Sequence, residues 1–259
     1  MGLAELLQWN VLLFFLILAR WSGMVMLAPV FGARGVPMPV KLGLAAGLSI
    51  VLYPLLFASV PDLPTSLLPI IALIVKETMV GLVMGYVISL ITAVMQGAGE
   101  LMDFQMGFVM GNTIDPIYGM QSPLTGNFLM VLATMLLLAM DGHHYIIAAM
   151  LKSYQYIPIN PSVLFQGMDF YINMTAQIFA LSLQVSLPVY GALFLANIGV
   201  GLLAKTVPQL NIFSVLFPVK IIFGFIIFYL AIPFFGVTVS QVFETAMEWV
   251  FQFLRGWNQ

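Results

Sequence analysis

Polar positions are so sparse along this chain that they act as punctuation. Uncharged stretches run from Leu42 to Pro61, Thr78 to Gly99, Pro116 to Met140 and Ile221 to Phe243. Each holds about 20 to 25 residues, near the length that crosses a hydrocarbon core, so each predicts a membrane-spanning helix. Leu6 to Val30 is a fifth candidate with Arg20 inside it. A charge within a span is costly, so Arg20 is expected to face protein, water or headgroups, with Trp9 and Trp21 at the interfacial ends. The stretch from Phe170 to Ala204 has no charge at all. As one helix it would reach about 50 Å, well beyond a core of about 30 Å, so it either splits near Pro188 or projects from the bilayer.

Within that stretch, Thr175, Ser182, Ser186 and Asn197 share one arc at helical periodicity, while Gln177 and Gln184 lie nearly opposite. Hydrogen bonding between helices accounts for such stripes, and so does a wet passage lined by one of them. Gly81 and Gly85 form a GxxxG pair, Gly107 and Gly111 another, and Pro54, Pro188 and Pro233 interrupt candidate spans. These features fit close packing and bent helices in a subunit with several neighbours. Towards the C-terminus, Phe243, Met247, Val250, Phe251 and Leu254 make one apolar face, and Glu244, Glu248, Gln252 and Arg255 make the other. That face is acidic, which favours a protein groove or bundle neighbour over anionic lipid.

Composition sharpens this picture. Hydrophobic residues reach 62% and charged residues only 7%, with a mean hydropathy of +1.07, against about 25% charged in a soluble domain. An all-α polytopic membrane protein follows, as one unit of 259 residues. The net charge of -2 gives no basic footprint for nucleic acid, and the absence of Cys excludes disulfides and thiolate sites. The N-terminus lacks a positive region and a small-residue cleavage pattern before Arg20, and is expected to be retained. Arg34 and Lys41 bracket the first loop and Lys205 and Lys220 a late one, while Asp62 lies between the second and third spans. The positive-inside rule therefore places the first and the late loops in the cytoplasm.

Catalytic patterns are missing: there is no HExxH, GxSxG, Walker loop or dinucleotide fingerprint. Asp141, His143 and His144 offer metal-ligand chemistry. Adjacent histidines on a helix point about 100° apart, however, and only Asp141 and His144 share a face, so a helix cap or packed interfacial histidine is expected and no metal or cofactor is assigned. Glu100 and Asp103 share a face, which couples them if buried and otherwise marks a solvated pair. Lys76 and Glu77 cannot pair with each other on a helix, which points to an outside partner or an aqueous setting.

The segment from Met102 to Pro123 is too apolar for a solvated loop and too rich in Gly, Pro, Asn and Asp for a span. Met102, Met106 and Met110 recur every fourth residue, and Phe104 and Phe108 repeat that spacing a little way round. Gly111 and Asn112 are expected to break the helix, with Asp115 and Pro116 forcing a turn. Pliable methionines can close around changing cargo, and hydrophobic constrictions gate by dewetting. Core packing beside a re-entrant turn explains the same residues.

These residues also carry a family resemblance. "QMGFVMGNTIDPIYGMQSPLTGNF" resembles the internal loop of the FliR family, "DGHHYIIAAMLKSYQYIPI" the segment downstream of it in flagellar members, and "PQLNIFSVLFPVK" the late polar loop. The resemblance extends over nearly the whole chain in span order. It implies a non-enzymatic subunit of the flagellar type III export gate in the bacterial inner membrane, at the flagellar basal body. That gate is assembled with FliP and FliQ, is associated with FlhB and FlhA, and passes unfolded flagellar proteins. It further implies a helical assembly standing largely above the bilayer plane, with a FliP-like part over 1–169 and a FliQ-like hairpin and tail over 170–259. By position, the loop from Phe108 to Gln121 would be the plug within 106–123, with Met106, Phe108, Met110, Gly111, Asp115, Pro116 and Gln121 as its residues. Lys205, Pro208, Gln209 and Lys220 would mark a cytoplasmic loop in contact with partners. The GHH motif favours the flagellar branch over virulence injectisomes.

Two other classes compete. A small-solute secondary transporter would need inverted repeats and a matched midplane ionisable site, and neither is visible. An intramembrane enzyme would have only Asp141 to His144 as material.

Overall fold

The computed structural model describes residues 3–33, 35–57, 63–64, 66–108, 123–160, 167–206 and 212–256, with side chains described except at 3–10, 203, 204, 206 and 212–217. Among the described residues the chain is all-helical. The helices are α1 (Leu3–Leu27), α2 (Met38–Phe57), α3 (Leu67–Met106), α4 (Leu124–Ala139), α5 (Gly142–Tyr156), α6 (Met168–Thr206) and α7 (Ile212–Gly256). Four of them, α2, α3, α6 and α7, are long and apolar enough to cross a membrane.

Helix lengths depart from the spacing of charges. Helix α3 runs unbroken for 40 residues, straight through Lys76, Glu77, Glu100 and Asp103, because each of these finds a partner that lets it remain inside a helix. Helix α6 passes through Pro188 without splitting and holds 39 residues, about 58 Å at 1.5 Å per residue. The last span and the amphipathic tail are one helix of 45 residues, with Pro218 and Pro233 inside it. Conversely, α3 stops at Met106, where Gly107 takes a positive φ of 89°. Gly107 thus closes α3, while Gly111 and Asn112, where the break was expected, lie outside the described residues.

Contacts divide the chain into two compact units that cut across chain order. One comprises Met1–Leu90, Asp141–Phe170 and Thr245–Gln259, the other Ile91–Met140 and Tyr171–Glu244. In the first unit, α1 packs on α2 and crosses the N-terminal half of α3 at backbone distance. A Cβ on Gly81 would run into the Arg20 carbonyl, one on Gly23 would stand 2.7 Å from the Thr78 carbonyl, and one on Gly85 2.7 Å from that of Met24. The Gly81 and Gly85 pair thus serves an internal crossing, not a neighbouring chain. Trp21 is fully buried, so it belongs to the core and does not sit at a lipid interface. The tail behaves as its pattern predicts: Phe243, Val250 and Leu254 are buried, while Glu244, Glu248, Gln252 and Arg255 are exposed. Phe253 packs on Phe170 and Lys152 lies over the Phe251 ring, so within this unit the apolar face meets a bundle neighbour.

In the second unit, the C-terminal part of α3 meets α6 through small residues. Ser182 donates to the Val94 carbonyl at 3.1 Å, and Asn197 Nδ2 to Gln105 Oε1 at 3.3 Å. Ser186 is buried, and Thr175 bonds its own helix at Tyr171 O. Ser182 and Asn197 of the first polar stripe thus serve contact between helices, whereas Gln177 and Gln184 face outward.

Candidate functional site at the neck of the loop

Two polar constructions stand out, one in each unit. In the first unit Arg20 and Glu77 are both fully buried and paired, Nε to Oε2 at 2.5 Å. The rest of the guanidinium fork is used as well: Nη1 donates to Ser153 Oγ at 3.0 Å, Nη2 donates to the Ile157 carbonyl at 2.9 Å, and the Tyr154 ring lies 4.1 Å from Cζ. One planar cation thereby ties α1, α3 and the end of α5 together, which is the geometry that five fixed donors permit and an ammonium does not. Lys76 turns the other way and donates to Asn160 Oδ1 at 2.7 Å, to the Asn160 carbonyl at 2.8 Å and to the Pro158 carbonyl at 3.2 Å. Both Lys76 and Glu77 therefore find partners inside the chain, and neither needs a neighbouring subunit.

The second construction holds the two roots of the segment 109–122. Helix α4 begins after Pro123, whose position at the cap offers no side-chain acceptor, so its first N–H groups need an acceptor from elsewhere. Asp103, 3% exposed, supplies it from the last turn of α3, accepting from Thr125 N at 3.0 Å (Oδ2) and 3.2 Å (Oδ1). Glu100 faces outward and accepts instead from Gln96 at 3.1 Å. The two carboxylates thus share a face but take different partners, one in a cap and one towards the outside. Beside the cap, α3 and α4 touch backbone to backbone: a Cβ on Gly99 would collide with Gly126, and one on Gly126 would lie 3.0 Å from the Gln96 carbonyl.

Of the residues predicted to gate, Met106 and Phe108 are described. Met106 is fully buried and fills a notch on α7, where a Cβ on Gly224 would stand 2.7 Å from its Cγ. Phe108 meets the next residue, Phe225, edge to face at 5.8 Å. Met102 is buried alongside, but Phe104 is 65% exposed. Two residues along α3 turn about 200°, so Phe104 points away from the Met102 face, whereas Phe108, beyond the helix end at Gly107, packs beside Met106 on neighbouring residues of α7. Met110, Gly111, Asp115, Pro116 and Gln121 lie outside the described residues, as do Pro208 and Gln209. Lys205 is exposed in the last turn of α6 and Lys220 is half-buried in α7. Sequence reasoning overlooked Asp103 with Thr125, Gly99 with Gly126, and Gly224. The missing cap at Pro123 and the paired small residues were the available signals.

Helices this apolar, held by a buried ion pair and a carboxylate cap, define a polytopic helical membrane protein. The chain belongs to the bacterial export proteins, family 1, whose family model matches residues 11–246. It is 35% identical to the flagellar biosynthetic protein FliR of Bacillus subtilis (strain 168), over 91% of this chain and 92% of the relative. Its identity to FliR of Escherichia coli (strain K12) is 29%, over 82% and 81%. The Yop proteins translocation protein T of Yersinia pestis is 28% identical over 84% and 85%.

Proposed function

We propose that this chain is the FliR-type subunit of a flagellar type III export gate in the bacterial inner membrane. It would act without catalysis, assembled with FliP and FliQ and associated with FlhB and FlhA, and would pass unfolded flagellar proteins. The observation that carries an assembly is the face of α6. Met168, Ile172, Phe179, Leu187, Phe194 and Leu202 are exposed along it, over about 50 Å, while a bilayer core covers about 30 Å. Lipid cannot cover all of that face, and an apolar patch of such length calls for protein. The 35% identity to the Bacillus subtilis FliR, against 28% to the Yersinia protein, favours the flagellar branch. In this reading 1–169 is the FliP-like part and 170–259 the FliQ-like part, with Lys205, Pro208, Gln209 and Lys220 at the partner-facing turn.

The segment 106–123 is the plug, seated by the Asp103 cap and by Met106 in its Gly224 notch. Its test combines assembly and leak. Photo-crosslinkers at Phe179 and Phe194 in cells expressing the gate proteins should capture FliP or FliQ. Deleting 107–117, or replacing Met106 and Met110 with Ser, should then raise ion permeability of the assembled gate. Crosslinking to lipid alone would count against assembly, and intact assembly without added leak would count against the plug.

A further inference from the structure

The turn between α4 and α5 holds three side chains that the export function leaves unused. Asp141 occupies the cap position of α5 in the left-handed region, φ 57° and ψ 23°, yet its carboxylate makes no capping hydrogen bond. An aspartate tolerates that backbone better than most residues, but the usual reason to find one at this position is the cap it here forgoes. The carboxylate instead faces imidazoles, with Asp141 Oδ1 3.4 Å from His144 Nδ1. The His143 and His144 rings lie 4.1 Å apart centre to centre, so the expected divergence of adjacent helical positions does not separate them. One potential ligand atom from each of the three residues falls within 4.8 Å of the other two. His143 Nδ1 is shielded from solvent and has no hydrogen-bond partner in the structure, a costly state for an imidazole nitrogen unless something else engages it.

We propose that Asp141, His143 and His144 form a binding site for a first-row divalent transition ion of the zinc class. Two imidazoles and one carboxylate are a donor set that zinc and its neighbours accept and that the oxygen-seeking magnesium and calcium ions do not prefer. Bonds of about 2.0 to 2.2 Å in tetrahedral array separate ligand atoms by about 3.3 to 3.6 Å. The Asp141 to His144 separation already has that value, and a small swing of the His143 ring closes the rest. The side chains of Asp141 and His144 are 72% and 68% exposed, so water or a donor from a partner would complete the shell. Bound there, the ion would lock the left-handed cap residue onto the first turn of α5. It would act as a structural staple, without a role in moving cargo.

The test uses the full chain, free of any polyhistidine tag, stripped with EDTA and held in detergent. Titration with cobalt(II), followed by its visible absorption, should show one saturable equivalent that zinc chloride displaces and magnesium chloride does not. His144→Ala and Asp141→Ala should each weaken binding by more than about tenfold, and the His143→Ala/His144→Ala double variant should abolish it with helical circular dichroism unchanged. No saturable binding by the native chain would overturn the proposal, as would an unchanged equivalent in the double variant.

Discussion

The two polar constructions solve opposite problems with opposite materials. At Arg20 the first unit buries full charges and meets the guanidinium with four contacts, from Glu77 on α3, Ser153 and Tyr154 on α5 and the Ile157 carbonyl at its end. At the loop neck the second unit uses one carboxylate, two backbone bonds and a pair of glycines. A buried ion pair adds little net stability relative to apolar packing, yet it is severe when half-broken, so it enforces one register among the helices that share it. A cap and a glycine contact are individually modest, and they hold two helix ends together without a buried charge pair.

That contrast can be broken in order of expected effect. Glu77→Ala should be the most damaging, because it leaves Arg20 charged, dry and unpaired. A loss of about 3 to 5 kcal/mol is expected, read as a fall in folded yield and in melting temperature in detergent. Replacing both partners, Arg20→Met with Glu77→Leu, should recover much of it. If the double variant were no better than Glu77→Ala, the pair would not be the reason for the loss. Next comes Gly99→Val, whose branched side chain must displace the α4 backbone at Gly126. It should cost about 1 to 3 kcal/mol and widen the neck, seen as increased ion leak with expression largely preserved. Asp103→Ala should be mildest, removing the acceptor at the first turn of α4 at about 0.5 to 2 kcal/mol, with a small leak. Should Asp103→Ala prove worse than Glu77→Ala, the division between register and fastening would be reversed.

Much of this was legible, and the failures have identifiable causes. The tail faces emerged because Phe243 to Leu254 alternate with charges at helical period and nothing else competes for them. Helix ends were misjudged because an unpaired charge in lipid is intolerable, so Lys76, Glu77 and Asp103 looked like boundaries. Their partners, Asn160, Arg20 and Thr125, are distant in sequence and leave no local trace. Gly81 and Gly85 announced a close crossing, but periodicity does not say which helix crosses, and the answer was α1 of the same chain. Trp21 was placed at an interface by residue-type preference, which full packing overrode. The methionine spacing was real for Met102 and Met106, both buried in the last turns of α3, and α3 closes at Gly107 with its positive φ.

The bond from Asp103 to Thr125 spans 22 positions, and closing a ring of chain becomes dearer only with the logarithm of its size, about 0.6 kcal/mol for each doubling. With that clasp shut, insertions and deletions between its jaws are nearly invisible to folding. The length of the enclosed stretch is therefore a nearly free variable of this fold, set by needs other than its stability.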